Sequence, residues 1–285
     1  MSLATPAKTI AVLKQFNLHL AKSLGQNFLV DENILRKIGK LAHLRSDDIV
    51  LEVGPGIGTL TQLLAENSQA VIAVEYDQKF LPVLDQTLGA FQNVRVFHFD
   101  ALNFDLESEV PRTLLPNKMV SNLPYSISTP LLSRYLQEYP FLKTMVVMVQ
   151  KEIAARMMAE PSTKNYGAVT LKLQYYCELS YGFPVSRNVF LPAPNVDSVV
   201  VKLERLKQPR IKVGDQALLF HLFKAAFSQR RKTIKNALVK GTRFNPNQVE
   251  SVLHKCGVDS TRRGETLSLE EFGFLCVGFE QLNSP

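Results

Sequence analysis

In DENILRKIGKLAHL (31–44) apolar residues fall at 34, 35, 38, 41 and 44, the repeat of one helical face, with Asp31 placed as an N-cap. The repeat then disappears. DIVLEV (48–53) is an apolar run too short for a helix, and GPGIG follows it at once. From there the two patterns alternate. TLTQLLAEN reads as a helix, AVIAVE (70–75) as a strand, DQKFLPVLDQTL as a helix and VRVFHFD (94–100) as a strand. NKMVSN (117–122) is a further strand, STPLLSRYLQEY the helix after it, and KTMVVMVQ (143–150) the most apolar strand. Short apolar runs separated by helices predict an α/β fold: a parallel sheet with helices on both faces. Residues 151–160 and 166–178 read as helical, and ELSYGFPV and DSVVVKLERL as two closing strands joined by the Pro-rich SRNVFLPAPN. The punctuated RLKQPRIKVGD (205–215) reads as a linker, and 215–240, 246–256 and 268–279 as helices. The expected organisation is an α/β domain over 1–205 and a small all-α domain over 206–285.

Composition adds little until it is divided along the chain. With 46% hydrophobic and 21% charged residues the protein is of ordinary globular type. No apolar run approaches the roughly 18–20 residues of a membrane span, and the first residues lack the features of a signal peptide, so a cytoplasmic protein without membrane attachment is expected. Cys177, Cys256 and Cys276 are scattered and odd in number, which suggests neither a disulfide framework nor a metal site. The net charge is +7. Residues 1–205 hold 20 Lys and Arg against 19 Asp and Glu, whereas 206–285 hold 13 against 7. The basic excess sits in the C-terminal quarter and points to an anionic partner there.

Candidate chemistry collects at strand ends. Gly54, Gly56 and Gly58 follow a strand and open a helix, which lets the backbone turn tightly against a ligand. The dinucleotide fingerprint needs its third glycine at 59, where Thr59 stands, and no GK[ST] follows; a nucleoside without a pyrophosphate is favoured. A lone G-x-G-x-G can be no more than a tight turn. Here Glu75 ends the next strand, where a carboxylate can accept from ribose hydroxyls, and Asp100 ends the one after, where it can take the exocyclic amine of adenine. The three together suggest S-adenosylmethionine.

The strand 117–122 ends at Asn122, at the same edge, and runs into Leu123, Pro124 and Tyr125. An Asn-capped turn with a proline stop would account for the first three, but not for the phenol. The Asn122 side-chain carbonyl and the backbone carbonyls of the Leu123–Pro124 segment can grip the two hydrogens of an exocyclic NH2, while Tyr125 stacks on the base. Such acceptors favour a pyramidal nitrogen whose lone pair faces a methyl donor. The chain by itself therefore supports an amino-methyltransferase acting on adenine or cytosine.

Together, LGQNFL (24–29), LEVGPGIGTLT (51–61), VIAVEYD (71–77), FHFDAL (97–102), SNLPYSISTP (121–130), VQKEIAARM (149–157) and FLPAPNVDSVV (190–200) resemble the small-subunit (16S) ribosomal RNA adenine-N6,N6-dimethyltransferases over nearly the whole chain. The resemblance implies a Rossmann-like class I methyltransferase sheet plus a small helical domain. It implies that Asn27 and Leu29, in a cofactor-covering segment 15–30, join Gly54, Glu75, Asp100 and Asn122 in holding S-adenosylmethionine. It implies that Phe190 stacks on the target base opposite Tyr125. The implied reaction puts four methyl groups on two adjacent adenosines in the 3′-terminal hairpin loop of small-subunit rRNA. The implied setting is a monomer acting on an assembling 30S particle, with no metal. HLAKSLGQNF carries one lysine where relatives are more basic, a departure that bears on how far this arm grips RNA. In the C-terminal module no acid occurs between Asp215 and Glu250, and Lys224, Arg230, Arg231 and Lys235 are expected to meet RNA phosphates. Phe223, Phe227, Phe272 and Phe274 read as core. Two other readings stand beside this one: a different nucleic-acid adenine methyltransferase, making monomethyladenosine in rRNA or DNA, and a non-catalytic assembly factor.

Overall fold

The computed structural model describes residues 3–18, 27–229 and 231–283. The chain divides into two compact units, Met1–Ala154 with Leu179–Arg205, and Ala155–Glu178 with Leu206–Pro285.

The first unit opens with α1 (Pro6–Gln15), β1 (Phe28–Leu29) and α2 (Glu32–Ala42). Asp31 caps α2 as its position predicts, its carboxylate accepting from the amides of Asn33 and Ile34. Strand and helix then alternate through β2 (Ile49–Val53), α3 (Thr59–Asn67), β3 (Ala70–Glu75), α4 (Leu81–Leu88), β4 (Val94–His98), α5 (Leu106–Glu109), β5 (Lys118–Asn122), α6 (Ser128–Glu138), β6 (Thr144–Gln150) and α7 (Lys151–Met157). After α8 (Ala168–Tyr176) come β7 (Cys177–Val185), β8 (Phe190–Leu191) and β9 (Ser198–Arg205).

Among the described residues one sheet has seven strands in the order β4-β3-β2-β5-β6-β9-β7. Strands β2 to β6 run parallel, and β9 returns antiparallel to β6, as the two closing strands predict. The central strands are buried on both faces, which explains unbroken apolar runs rather than alternation. Val50, Val71, Val120 and Val146 pack under Leu35 and Ile38 of α2 and Leu60 and Leu64 of α3. Their sequence neighbours Leu51, Ile72, Met119 and Val147 are equally buried on the opposite side. The chain walks outward from β2 to β3 and β4, then comes back to place β5 on the other flank of β2. That reversal leaves a crevice at the carboxyl ends of β2 and β5, where open α/β sheets take their ligands.

The second unit holds α8 and four helices, α9 (Gln216–Phe227), α10 (Ile234–Gly241), α11 (Pro246–Lys255) and α12 (Leu269–Asn283). The chain passes from one unit to the other at 205/206, but residues 155–178, expected in the first domain, cluster with this unit. Their aromatic side chains explain it. Tyr166 donates from its hydroxyl to the Leu267 carbonyl at 2.9 Å, and the Tyr175 ring meets Phe220 edge-on at 5.5 Å. The expected helix 215–240 is also two helices, α9 and α10. The Thr233 hydroxyl accepts from the Asn236 amide and starts α10 afresh, so Arg231 lies in the connection between them. Phe223 and Phe272 pack edge-to-face at 5.2 Å in the core as expected, but Phe274 is 61% exposed on the outer side of α12.

Candidate active site

Three glycines with positive φ shape the loop after β2: Gly54 at 72°, Gly56 at 59° and Gly58 at 86°. The space matters as much as the angle. A Cβ on Gly54 would lie 3.3 Å from Pro124 Cγ, and one on Gly56 would lie 3.0 Å from the Phe28 ring. The loop is thus pressed between the N-terminal segment and the NLPY turn, and the first turn of α3 follows it.

Around this loop lies a cavity of about 520 Å³ at the carboxyl edge of the sheet, within the usual size of small-molecule sites. Its wall includes Asn27, Leu29, Gly54, Glu75, Asp100, Asn122, Leu123, Pro124 and Tyr125. The structure therefore brings together every residue expected to hold the cofactor and four of the five expected around the target base. The fifth, Phe190, is not part of that wall. In the two-stranded β1–β8 sheet it pairs with Leu29, and its side chain is 4% exposed within the core formed with Leu29, Ile38 and Val185. It packs behind the N-terminal segment, against Leu29 and Ile38 of the cavity wall. Of the covering segment 15–30, residues 19–26 lie outside the described residues.

The polar groups of the cavity are held by backbone. Glu75, at the end of β3, accepts from the Gly56 amide at 3.2 Å and from the Asp77 amide at 2.8 Å. Burial pushes its pKa up; the backbone donors pull it back without cancelling the shift. Asp100, just past β4, accepts from the Leu102 amide at 2.9 Å and the Asn103 side chain at 3.0 Å. Each carboxylate oxygen has a second lone-pair direction, so both acids can still accept from a ligand. Asn122 donates from Nδ2 to the Asn27 carbonyl at 3.3 Å. That bond orients the amide and leaves its oxygen for an incoming donor. Leu123 continues the strand, its amide bonded to the Met148 carbonyl at 3.1 Å. The Tyr125 hydroxyl meets Ser198 Oγ at 3.0 Å, tying the ring to the start of β9, and burial raises its pKa.

Two groups went unnoticed in the sequence. Glu52 lies in the cavity wall, 2% exposed, and its Oε2 has no hydrogen-bond partner. Burial raises its pKa to about 8, with the Thr61 hydroxyl opposing and the charge of Glu75 reinforcing. Burial thus favours the protonated form of Glu52 in the free protein. An acid two residues before Gly54 was a visible signal, hidden because it sits inside the apolar run. The second group is aromatic. Tyr76 and Phe99 line the mouth of the cavity beside Glu75 and Asp100, and both are exposed.

In the second unit Lys224 and Arg231 are exposed, whereas Lys235 sits 2.9 Å from Glu250. That pair is itself solvent-exposed and holds Lys235 only weakly. Arg230 lies outside the described residues.

The ribosomal RNA adenine dimethylase family model matches residues 17–273. The chain belongs to this family. It is 43% identical, over 276 residues and 96% of both chains, to ribosomal RNA small subunit methyltransferase A of Alkaliphilus metalliredigens. A crystal structure of a dimethyladenosine transferase from Plasmodium falciparum superimposes with a TM-score of 0.77 at 27% identity, covering 90% of this chain and 98% of that one. The 23S rRNA methyltransferase ErmE aligns with a TM-score of 0.65, also at 27% identity, over 90% of this chain and 100% of its own. Family membership and these likenesses make the fold a Rossmann-like methyltransferase fold. No helix among the described residues is long and apolar enough to cross a membrane, and no group of acids, histidines and cysteines among them could hold a metal ion.

Proposed function

We propose that the protein transfers methyl groups from S-adenosylmethionine to N6 of two adjacent adenosines in the 3′-terminal hairpin loop of small-subunit rRNA, giving N6,N6-dimethyladenosines and S-adenosylhomocysteine. The observation that carries this reading is the position of Asn122. Asn122, whose amide nitrogen donates to the Asn27 carbonyl, lines the same cavity as the two acids suited to an adenosine, Glu75 and Asp100. The cavity fits the donor: it has acceptors for ribose hydroxyls and for a purine amine, a glycine loop that admits close approach, and, among the described residues, no basic side chain in its wall. When bound, the donor supplies an electrophilic methyl carbon on a positively charged sulfur.

The chain's own residues do the rest. Glu75 takes the ribose and Asp100 the purine edge, which fixes the donor along the tips of β3 and β4. The Asn122 oxygen and the Leu123 backbone carbonyl draw the two N6 hydrogens of the target aside, so that the nitrogen lone pair points across the cavity. Positive charge develops on that nitrogen as the methyl transfers, and the preorganised carbonyl dipoles stabilise it. The quaternised nitrogen loses its proton readily, so no strong base is needed. The Tyr125 ring covers the base, which is splayed from its loop. Exposed Lys224 and Arg231, with Arg230 and Lys235, meet RNA phosphates and position without reading sequence. The setting is a monomer acting in the cytoplasm on an assembling 30S particle.

The test is incubation with labelled S-adenosylmethionine and small subunits lacking these methyl groups. Label in two adjacent dimethyladenosines supports the reading, and absence of label in any small-subunit substrate sinks it. The likeness to a 23S rRNA methyltransferase favours one other reading, a different rRNA target, and label confined to large-subunit RNA would establish that. For the basic module, Lys224→Glu with Arg231→Glu lowers the slope of log affinity against log salt by roughly 1–2. An unchanged slope removes these residues from the RNA contact.

A further inference from the structure

The ladder between β2 and β5 stops before the site begins. Val50 registers with Lys118 and Leu51 with Met119, and among the described residues no further pair forms. Yet β2 stays paired with β3 as far as Val53 opposite Val74, and β5 with β6 as far as Asn122 opposite Met148. The strands separate only from each other, at the place where chain order reverses. On the side facing β5, Val53 therefore presents an amide and a carbonyl that have lost a ladder partner.

One side chain meets both. Ser121 Oγ donates to the Val53 carbonyl at 2.6 Å and accepts from the Val53 amide at 3.3 Å. Ser121 is 2% exposed and is absent from the cavity wall. Its hydroxyl is a spacer with fixed length between two strand tips. The residue after Val53 is Gly54, where the donor loop starts, and the residue after Ser121 is Asn122, which faces the target amine. The bridge thus sits one residue behind each of the two groups whose separation decides whether methyl carbon and nitrogen line up.

We propose that Ser121 is a positioning residue for methyl transfer, its hydroxyl setting the distance between the glycine loop and Asn122. This rests on the reading of the cavity given above. The residue touches neither donor nor base, so its loss acts on alignment rather than on binding. Misplacement by about 1 Å can cost roughly a hundredfold in rate. The bond also satisfies two buried backbone groups, so Ser121→Ala destabilises the fold as well. Ser121→Cys keeps a group of similar size that bonds weakly, and carries the test should the alanine variant fold poorly.

The experiment compares single-turnover methylation of unmethylated small subunits at saturating donor with equilibrium binding of donor and of RNA. For Ser121→Ala the rate falls roughly 10- to 100-fold while both affinities stay within about threefold; Ser121→Cys lies between alanine and wild type. A wild-type rate in Ser121→Ala overturns the proposal, as does a rate that falls in step with donor affinity and melting temperature. Asn122→Ala in the same series separates the two levels of argument. If it too turns over normally, the reading of the cavity fails and this inference with it. If it is slow while Ser121→Ala is not, only the role of Ser121 is lost.

Discussion

β2 and β5 lie side by side, yet their two ends are built on opposite rules. At the amino end Asp48, Asn117 and Lys118 form a closed network. Lys118 Nζ donates to the carbonyls of Ala42 at 3.1 Å and His43 at 2.6 Å and to Asp48 Oδ2 at 2.7 Å. Asn117 donates to Asp48 Oδ1 at 2.8 Å and accepts from the Ile49 amide at 2.9 Å. At the carboxyl end, Glu52 Oε2 and the Thr59 hydroxyl, both in the cavity wall, are buried without a hydrogen-bond partner. The pKa directions follow. Burial alone would raise Asp48, but hydrogen bonds from Lys118, Asn117 and the Arg45 amide outweigh it and leave it lowered. Burial also raises Glu52, and there nothing outweighs it. One end spends its polar groups on the fold; the other keeps them for a ligand, at some cost in stability.

The largest effect expected from this contrast is on folding. Lys118→Met leaves Asp48 buried without its cation and destabilises the protein by about 3–5 kcal/mol, as breaking one partner of a buried pair does. Denaturant melts measure it. Methyl transfer per folded molecule stays near wild type, because the pair lies at the far end of the strands from the cavity. A variant that folds well but transfers slowly would break the comparison.

At the other end the expected loss is in rate. Asn122→Ala removes one preorganised dipole, and such removals cost roughly 10²- to 10³-fold in turnover. Donor affinity, which the proposed function assigns to Glu75 and Asp100, changes little. Turnover with labelled donor and equilibrium binding check the two halves separately, and unchanged turnover would undo the role given to NLPY.

How much of this contrast could be read in the sequence depended on how local its cause was. The central strands were legible from short apolar stretches between helices, and the ends of those stretches put Glu75, Asp100 and Asn122 on one edge of the sheet. Glu52 was missed because an acid within an apolar run reads as part of the strand; its unpaired oxygen is a fact of tertiary packing. The burial of Phe190 was illegible for a related reason. Its pairing with Leu29 is a contact across more than 150 residues, and nothing local marks a two-residue strand. Residues 155–178 look like any helices after a strand, and only their aromatic partners, Phe220 among them, assign them to the second unit. The break between α9 and α10 was signalled by Thr233, whose capping role was lost among the basic residues around it.

A smaller effect is expected from pH. Glu52 has a folded pKa near 8 against an ordinary 4.5. Its contribution is therefore fully present below about pH 4.5, and is lost as pH rises towards 8, since the unfolded chain ionises first. Asp48, lowered in the fold, works the other way: its contribution is present above the ordinary carboxylate pKa and is lost on acidification. Glu52→Gln removes the first slope only. In the unliganded protein it raises stability by roughly 4 kcal/mol near pH 8, and by less than about 1 kcal/mol at pH 5. Unfolding curves between those values check it, and an equal gain at both pH values would show that Glu52 is not held protonated.

The smallest expected effect sharpens what the carboxyl end needs from Tyr125. Its hydroxyl bond to Ser198, at 3.0 Å, ties the NLPY turn to the start of β9, and a bond of this kind contributes about 1 kcal/mol net. Tyr125→Phe keeps the ring, so melting temperature drops slightly while RNA affinity and turnover stay within about fivefold of wild type. Tyr125→Ala removes the stacking surface as well and costs roughly 1–3 kcal/mol in binding of the splayed base. Equal losses in the two variants would make the hydroxyl bond, and not the ring, the contribution of Tyr125. The turn would then resemble the amino end of the strands, with its polar group used for the fold.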